Sequence, residues 1–139
     1  MNLFGVLQVS GSALRAERLR AEVVTSNMAN AETTRTPEGG PFKRRMVVFA
    51  SQPVAGSQGG AAAPGVAVRQ IVTDNAAPIR RFDPTHPDAD AQGYVSYPDI
   101  NPIMEMVDLM GAVRAYDMNA SAVQATKSMI QESLNILQP

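Results

Sequence analysis

Leu3, Leu7, Leu14, Ala21, Val24 and Met28 lie on alternating three- and four-residue steps, interrupted by Ser10 and Glu17. This period predicts a helix from about Leu3 to about Ala29. Val6, Val9, Ala13, Ala16 and Val23 widen its apolar side, while Arg15, Arg18 and Glu22 share another face. A helix apolar around most of its circumference needs more than one neighbour. At the other end of the chain Asn101 is placed to cap a helix and Pro102 suits its first turn. From there Met106, Leu109, Val113, Tyr116, Ala120, Val123, Lys127, Ile130, Leu134 and Leu137 repeat in threes and fours, with Lys127 the one residue that is not apolar. A heptad seam sustained over that length predicts a coiled-coil partner.

Between the two helices the pattern changes. SNMANAETTRTPEGGPF reads as turn and loop, from its Asn, Thr, Gly and Pro content. Short strands are predicted at Phe42–Phe49, Val66–Thr73, Pro78–Phe82 and Tyr94–Tyr97, with a mobile, glycine-rich loop at 51–65. The expected fold is therefore mainly α with a small β-rich insert, its long N- and C-terminal helices pairing as an elongated coiled-coil hairpin. The division is 1–30 for the first helix, 31–100 for the insert and 101–139 for the second helix.

Length sharpens the picture. A helix from Asn101 to Leu137 is about 50 Å long at ~1.5 Å per residue. A compact globule of this chain length has a diameter of roughly 35–40 Å. The helix overhangs such a body, so its apolar seam must be covered by the first helix, by other copies, or by both. The alternative is a monomeric helical bundle, which the absence of a third helix disfavours.

Composition removes several functions. The chain has 139 residues, a net charge of -1 and no cysteine. Near-neutral charge disfavours nucleic acid or an anionic membrane as the main partner. Without thiols there are no disulfides, thiolate zinc sites or cysteine nucleophiles. No segment is long and apolar enough to span a membrane, and the start lacks the features of a cleaved secretory signal. Lys43, Arg44, Arg45, Arg80 and Arg81 read as a solvated strand edge or as ion-pair partners for a neighbouring subunit. Five of the 8 methionines (Met104, Met106, Met110, Met118 and Met129) lie on the last helix, where their adaptable side chains suit an interface.

Candidate chemistry is confined to DPTHPDADAQGYV, residues 83–95, which holds the single histidine. Asp88, Asp90, Gln92, Gly93, Ser96 and Asp99 take positions 1, 3, 5, 6, 9 and 12 of a calcium-loop template, with Val95 at position 8. A calcium-dependent binding module using the 88–99 acidic loop is thus the alternative reading. Against it, Gln92 is long for its slot, Asp99 is shorter than the usual bidentate glutamate, and RRFDPTHP cannot form the required entering helix. His86 has no candidate nucleophile or second metal ligand beside it, so no catalytic site is expected. The structural reading is a corner, in which Asp83, Pro84, His86, Pro87, Asp88, Asp90 and Gly93 turn the chain into the last strand.

Three stretches carry a resemblance. SNMANAETTRT, closing the first helix, resembles the signature of the axial rod and hook proteins of the bacterial flagellum. GGPFKRRMVVF and FDPTHPDADAQGYVSYPDINPIMEMVDLMGAVRAYDMN resemble the proximal-rod branch of that family. ETTRT departs from the Thr-x-Gly-Tyr/Phe ending of other rod and hook proteins, as the proximal-rod branch does. The resemblance implies a structural, non-enzymatic subunit with no cofactor. Its terminal helices would build a helical tube with a β-rich part outside. It would pass through the flagellar type III export apparatus without a cleaved signal peptide and join a rod that crosses the periplasm and transmits torque. Partners would be further copies, other rod proteins and the base protein joining the rod to the membrane ring. The expected subunit-interface seam is Leu3, Leu7, Leu14, Val24, Met28, Met106, Leu109, Val113, Tyr116, Ala120, Val123, Ile130, Leu134 and Leu137. Both terminal helices are expected to order only on assembly.

Overall fold

A computed structural model describes residues 3–53 and 64–136. Helix α1 spans Leu3–Ala29 and helix α2 spans Pro102–Ile136. Between them lie β1 (Arg45–Pro53), β2 (Pro64–Thr73), β3 (Ile79–Phe82) and β4 (Tyr94–Tyr97). The strands form two separate antiparallel pairs, β1 with β2 and β3 with β4.

The ends of α2 follow the sequence. Asn101 Oδ1 accepts the Ile103 amide at 3.0 Å, and its carbonyl accepts the Glu105 amide at 3.1 Å. Both bonds satisfy groups that a bare helix start leaves open. The first predicted strand begins later than expected. Phe42 is used as a tie, its amide donating to the Thr33 carbonyl at 3.0 Å, and pairing starts only at Arg45. At the other end β1 and β2 run into the stretch read as loop, through Pro53 and from Pro64. The rest of that loop, 54–63, lies outside the described residues, as does Leu137.

Asn27 stands opposite Glu105 and Arg20 opposite Asp108. Moving up α1 therefore means moving down α2, so the helices pack antiparallel. The β1–β2 hairpin lies lengthwise on another side of α1. Arg45 at its root is tied to Asn27, and Val66 near its far end donates to Ser12 Oγ at 2.9 Å. Ser12 in turn donates to the Val9 carbonyl at 2.7 Å. Helix α1 thus sits in a corner formed by α2 and the hairpin, which explains why its apolar residues spread so widely. Its exposed residues reduce to one stripe containing Gln8, Arg15, Arg18, Glu22, Thr25 and Ala29. Among the described elements α2 packs on α1 alone.

The face that α2 turns inward differs from the one its apolar pattern suggests. Glu105, Ala112 and Thr126 are buried, and Asp108, Ala115, Asn119 and Ala122 between them are half-buried. These residues keep a seven-residue period, displaced by one position from Met106, Leu109, Val113 and their successors. Alanines let two helix backbones approach closely, and the polar members are satisfied individually. Thr126 donates to the Ala122 carbonyl at 2.8 Å and Asn119 to Ala115 at 2.8 Å.

The centre of this packing is polar. Asn27 has no exposed surface, and Glu105 retains 1%. Asn27 Nδ2 donates to Glu105 Oε2 at 2.9 Å and to the Arg45 carbonyl at 2.8 Å, while its Oδ1 accepts the Arg45 amide at 2.9 Å. Arg44 Nε donates to Glu105 Oε1 at 2.6 Å. One amide side chain therefore joins α1, the hairpin root and α2. Replacing it leaves two backbone groups and a carboxylate oxygen without partners, each worth about 1–3 kcal/mol when buried. Asn27→Ala should destabilise the fold by about 3 kcal/mol or more, read from urea unfolding. Asn27→Asp should be worse, because it sets a second carboxylate against Glu105.

Candidate functional site: an uncovered helix face and an acidic corner

The displacement of the inward face decides what α2 shows to solvent. Met106, Val113, Tyr116 and Leu134 are exposed, Leu109, Ala120, Val123 and Ile130 are half-buried, and Lys127 is exposed. The expected seam on α2 therefore runs beside the α1 contact, half in and half out. Further round the helix Ile103 is 73% exposed, Met118 67% and Ile136 83%. Val107, Met110 and Met129 join them. On α1 the expected seam residues are used inside the chain: Val24 is buried and Leu3, Leu7, Leu14 and Met28 are half-buried. A single exposed Leu or Met needs no explanation, but a cluster from Ile103 to Met118 on one helix does, and Met129, Leu134 and Ile136 add to it past a polar stretch at Ser121, Gln124 and Lys127.

The acidic stretch forms a closed corner. Gly93 sits at φ +81°, and a Cβ there would meet Phe82 Cε2 at 2.9 Å and Pro84 Cβ at 3.2 Å, so only glycine fits. Its carbonyl accepts the Asp83 amide and its amide donates to the Asp90 carbonyl, both at 2.9 Å. Asp90 Oδ1 accepts the Gln92 and Tyr94 amides at 2.9 Å each, and Oδ2 meets Arg80. Asp83 Oδ1 accepts the Thr85 hydroxyl at 2.7 Å and the Thr85 amide at 3.1 Å. Asp88 reaches back to the segment after α1, accepting from the Thr34 hydroxyl at 2.8 Å with Arg35 at 3.5 Å. His86 Nδ1 accepts the Asp88 amide at 3.1 Å, and its ring meets Tyr97 edge-on at 6.2 Å.

Each carboxylate is thus committed to donors of the chain itself. Ser96 lies within β4 opposite Arg80. Among the described residues no group of three or more acidic or histidine side chains converges as a metal site would require. The calcium reading gains no support from this arrangement. The basic residues are divided in the same way. Arg44 is spent on buried Glu105, which corrects the expectation that it serves a solvated edge or a neighbouring subunit, while Arg80 pairs with Asp90 on the exposed strand β3. Arg81 stacks over Tyr97 at 4.5 Å and Arg45 lies over Phe42 at 5.5 Å.

Asn27, Arg44 and Glu105 are the residues that pattern reading missed as a unit. The available signal was a glutamate one turn into an otherwise apolar run, PIMEMV, with no basic residue at helical spacing to excuse it.

The described residues define a two-helix molecule with a small β-rich insert, an uncovered apolar face on α2 and a closed acidic corner. Comparison with known families is more specific. Residues 7–35 match the family described as flagella basal body rod protein, and residues 91–136 match the flagellar basal body rod FlgEFG protein C-terminal family. Over 98% of its length the chain is 42% identical to the flagellar basal-body rod protein FlgC of Bacillus subtilis, covering 99% of that relative. It is 38% identical to FlgC of Borreliella burgdorferi, over 99% of both chains. With FlgC of Salmonella typhimurium it shares 35%, over 98% of both. The chain belongs to the FlgC family of flagellar basal-body rod proteins, a structural family and not one of enzymes.

The corner makes a pH-dependent prediction. The Thr85 hydroxyl, then the Thr85 amide, hold the Asp83 carboxyl below its usual range. For Asp90 the Tyr94 amide is the largest cause, with Gln92 and Arg80 adding to it. A carboxylate whose folded pKa is depressed contributes stability above its unfolded pKa and loses it as pH falls through the folded one. The corner should therefore hold from neutrality down to about pH 4 and open below that. Amide exchange at Thr85, Gln92 and Tyr94 should accelerate in acid beyond the intrinsic trend. Asp90→Asn should flatten that response at Gln92 and Tyr94.

Proposed function

We propose that this chain is a subunit of the proximal rod, polymerising through its terminal helices into a stiff helical tube that transmits motor torque. The observation that carries the reading is the apolar outer surface of α2, which packs on no other element among those described. Covering one exposed Val, Leu, Ile or Met side chain contributes about 1.5–3 kcal/mol, and α2 offers such residues from Ile103 to Met118 and again at Met129, Leu134 and Ile136. Partners of matching chemistry are further copies, other rod proteins and the base protein between rod and membrane ring. The rod would cross the periplasm, reached through the flagellar export apparatus. No helix among the described residues is long and apolar enough to cross a membrane.

Order on assembly fits one helix better than the other. Helix α1 is enclosed by α2 and the hairpin, whereas α2 has one neighbour, so ordering on assembly is assigned to the far half of α2. Burial in the isolated chain is modest: the fully apolar buried residues are Ala16, Val23, Val24, Val95, Ile100 and Ala112 among those described.

Val113→Asp places a charge on the outer surface of α2 without touching Asn27, Glu105 or the hairpin. It should leave hydrogen exchange in β1 and β2 unchanged and abolish rod assembly and swimming in a host lacking its own copy. Ile130→Asp should do the same. Normal swimming in both variants would remove the interface from this face.

A further inference from the structure

An open tube of identical subunits needs two different surfaces that fit each other, because a head-to-tail contact cannot pair a patch with itself. Two such surfaces lie on opposite sides of the α1–α2 pair. On one side a groove of about 370 Å³ is lined by Glu17, Arg18, Ala21, Ala112, Val113 and Tyr116. On the other, between α2 and the hairpin, a cleft of about 260 Å³ holds Val24, Met46, Phe49, Arg45 and Asp108. Asp108 and Val113 flank the inward line of Glu105 and Ala112 from either side, which places the groove and the cleft back to back.

Each surface carries an unfinished charge. Glu17 interrupts the apolar stripe of α1, its side chain is only 15% exposed, and its Oε2 accepts no hydrogen bond. Its nearest cation, Arg20, stands at 3.5 Å and is turned to Asp108. Oε2 faces that long ion pair inside the chain and is closed to the surface, so the part of the Glu17 side chain that stays exposed is what the groove offers a neighbour. Arg45 is exposed and has no ion pair among the described residues; its guanidinium lies over the Phe42 ring at 5.5 Å and its main chain is bonded to Asn27. Lys127, also exposed, lies on the same side of α2 as the groove, so a neighbour approaching head to tail presents its other side.

We propose that Arg45 of one copy enters the α1–α2 groove of the next and pairs with Glu17, so that the hairpin–α2 side of each subunit closes on the seam side of its neighbour. Apolar contact between Val113 and Tyr116 and the Met46–Phe49 cleft supplies the adhesion, and the single charge pair sets the register, the best-attested use of an ion pair in a buried seam. The proposal rests on the reading of α2 as an assembly surface.

The test uses the full chain in a host deleted for its own copy. The chain has no cysteine, so Glu17→Cys with Arg45→Cys supplies the only thiols, and oxidation of isolated rods should yield a ladder of linked subunits that neither single variant gives. Arg45→Glu and Glu17→Arg should each lower the swimming fraction at least about tenfold, since like charges then meet. The double reversal should restore most of it. Rods that assemble without a ladder, a ladder from Glu17→Cys with Lys127→Cys, or a double reversal no better than the singles would each overturn the pairing. Loss of assembly in Val113→Asp alongside any of those results would leave the wider assembly reading standing, and normal assembly in Val113→Asp would remove both.

Discussion

The fully buried amide of Asn27 sets the rest of the structure. It is bonded at once to Glu105 on α2 and to both main-chain groups of Arg45 at the hairpin root. The Asn27 and Glu105 side chains are out of contact with water, so both must be paired, and only one rotation and one height of α2 against α1 pairs them while Asn27 also holds the hairpin root. An apolar contact of the same area would tolerate a slide or a twist. This one does not. Arg44 completes the arrangement by neutralising Glu105 from the loop side.

With α2 held at that rotation, the inward line becomes Glu105, Ala112 and Thr126, with small and polar residues between. The larger apolar residues stand beside that line, with Met106, Val113 and Tyr116 exposed and Leu109, Val123 and Ile130 half-buried. A lone globular protein gains by the opposite choice, in which Met106, Val113 and Tyr116 face inward. The polar lock at the base of α2 prevents that choice, and the result is a subunit whose most adhesive surface is external. The corner at 83–95 serves the same end. Asp88 ties it to the segment leaving α1, Gly93 bends it, and the chain emerges through β4 directly into the Asn101 cap of α2.

The two helices were legible because both carry a sustained 3.6-residue period with identifiable ends, and the start of α2 followed from Asn101 and Pro102. The strand stretches followed from β-branched runs, and their division into two pairs did not, since pairing depends on contacts distant in sequence. The period of the α2 seam was readable and its relation to α1 was not. Periodicity says which residues share a face, and the choice between two neighbouring faces was made by Asn27, a residue that reads locally as part of a turn-rich stretch. The corner was legible as a corner from Pro84, Pro87 and Gly93. The partners of its aspartates were not, because Thr34 and Arg35 lie more than fifty residues earlier and nothing in their spacing points to Asp88.

A family of flagellar rod proteins and a monomer with its apolar helix face outside fit a single account, in which the subunit is finished by its neighbours. The methionines of α2 report on this directly, since Met106, Met110 and Met118 are exposed while Met28 on α1 is half-buried. Their rates of oxidation by hydroxyl radicals can be compared in dissolved subunits and in purified rods. The account predicts rapid oxidation of the α2 methionines in the dissolved subunit and strong protection in the rod, with much less change at Met28. Equal rates in the two states, or protection already present in the dissolved subunit, would contradict it.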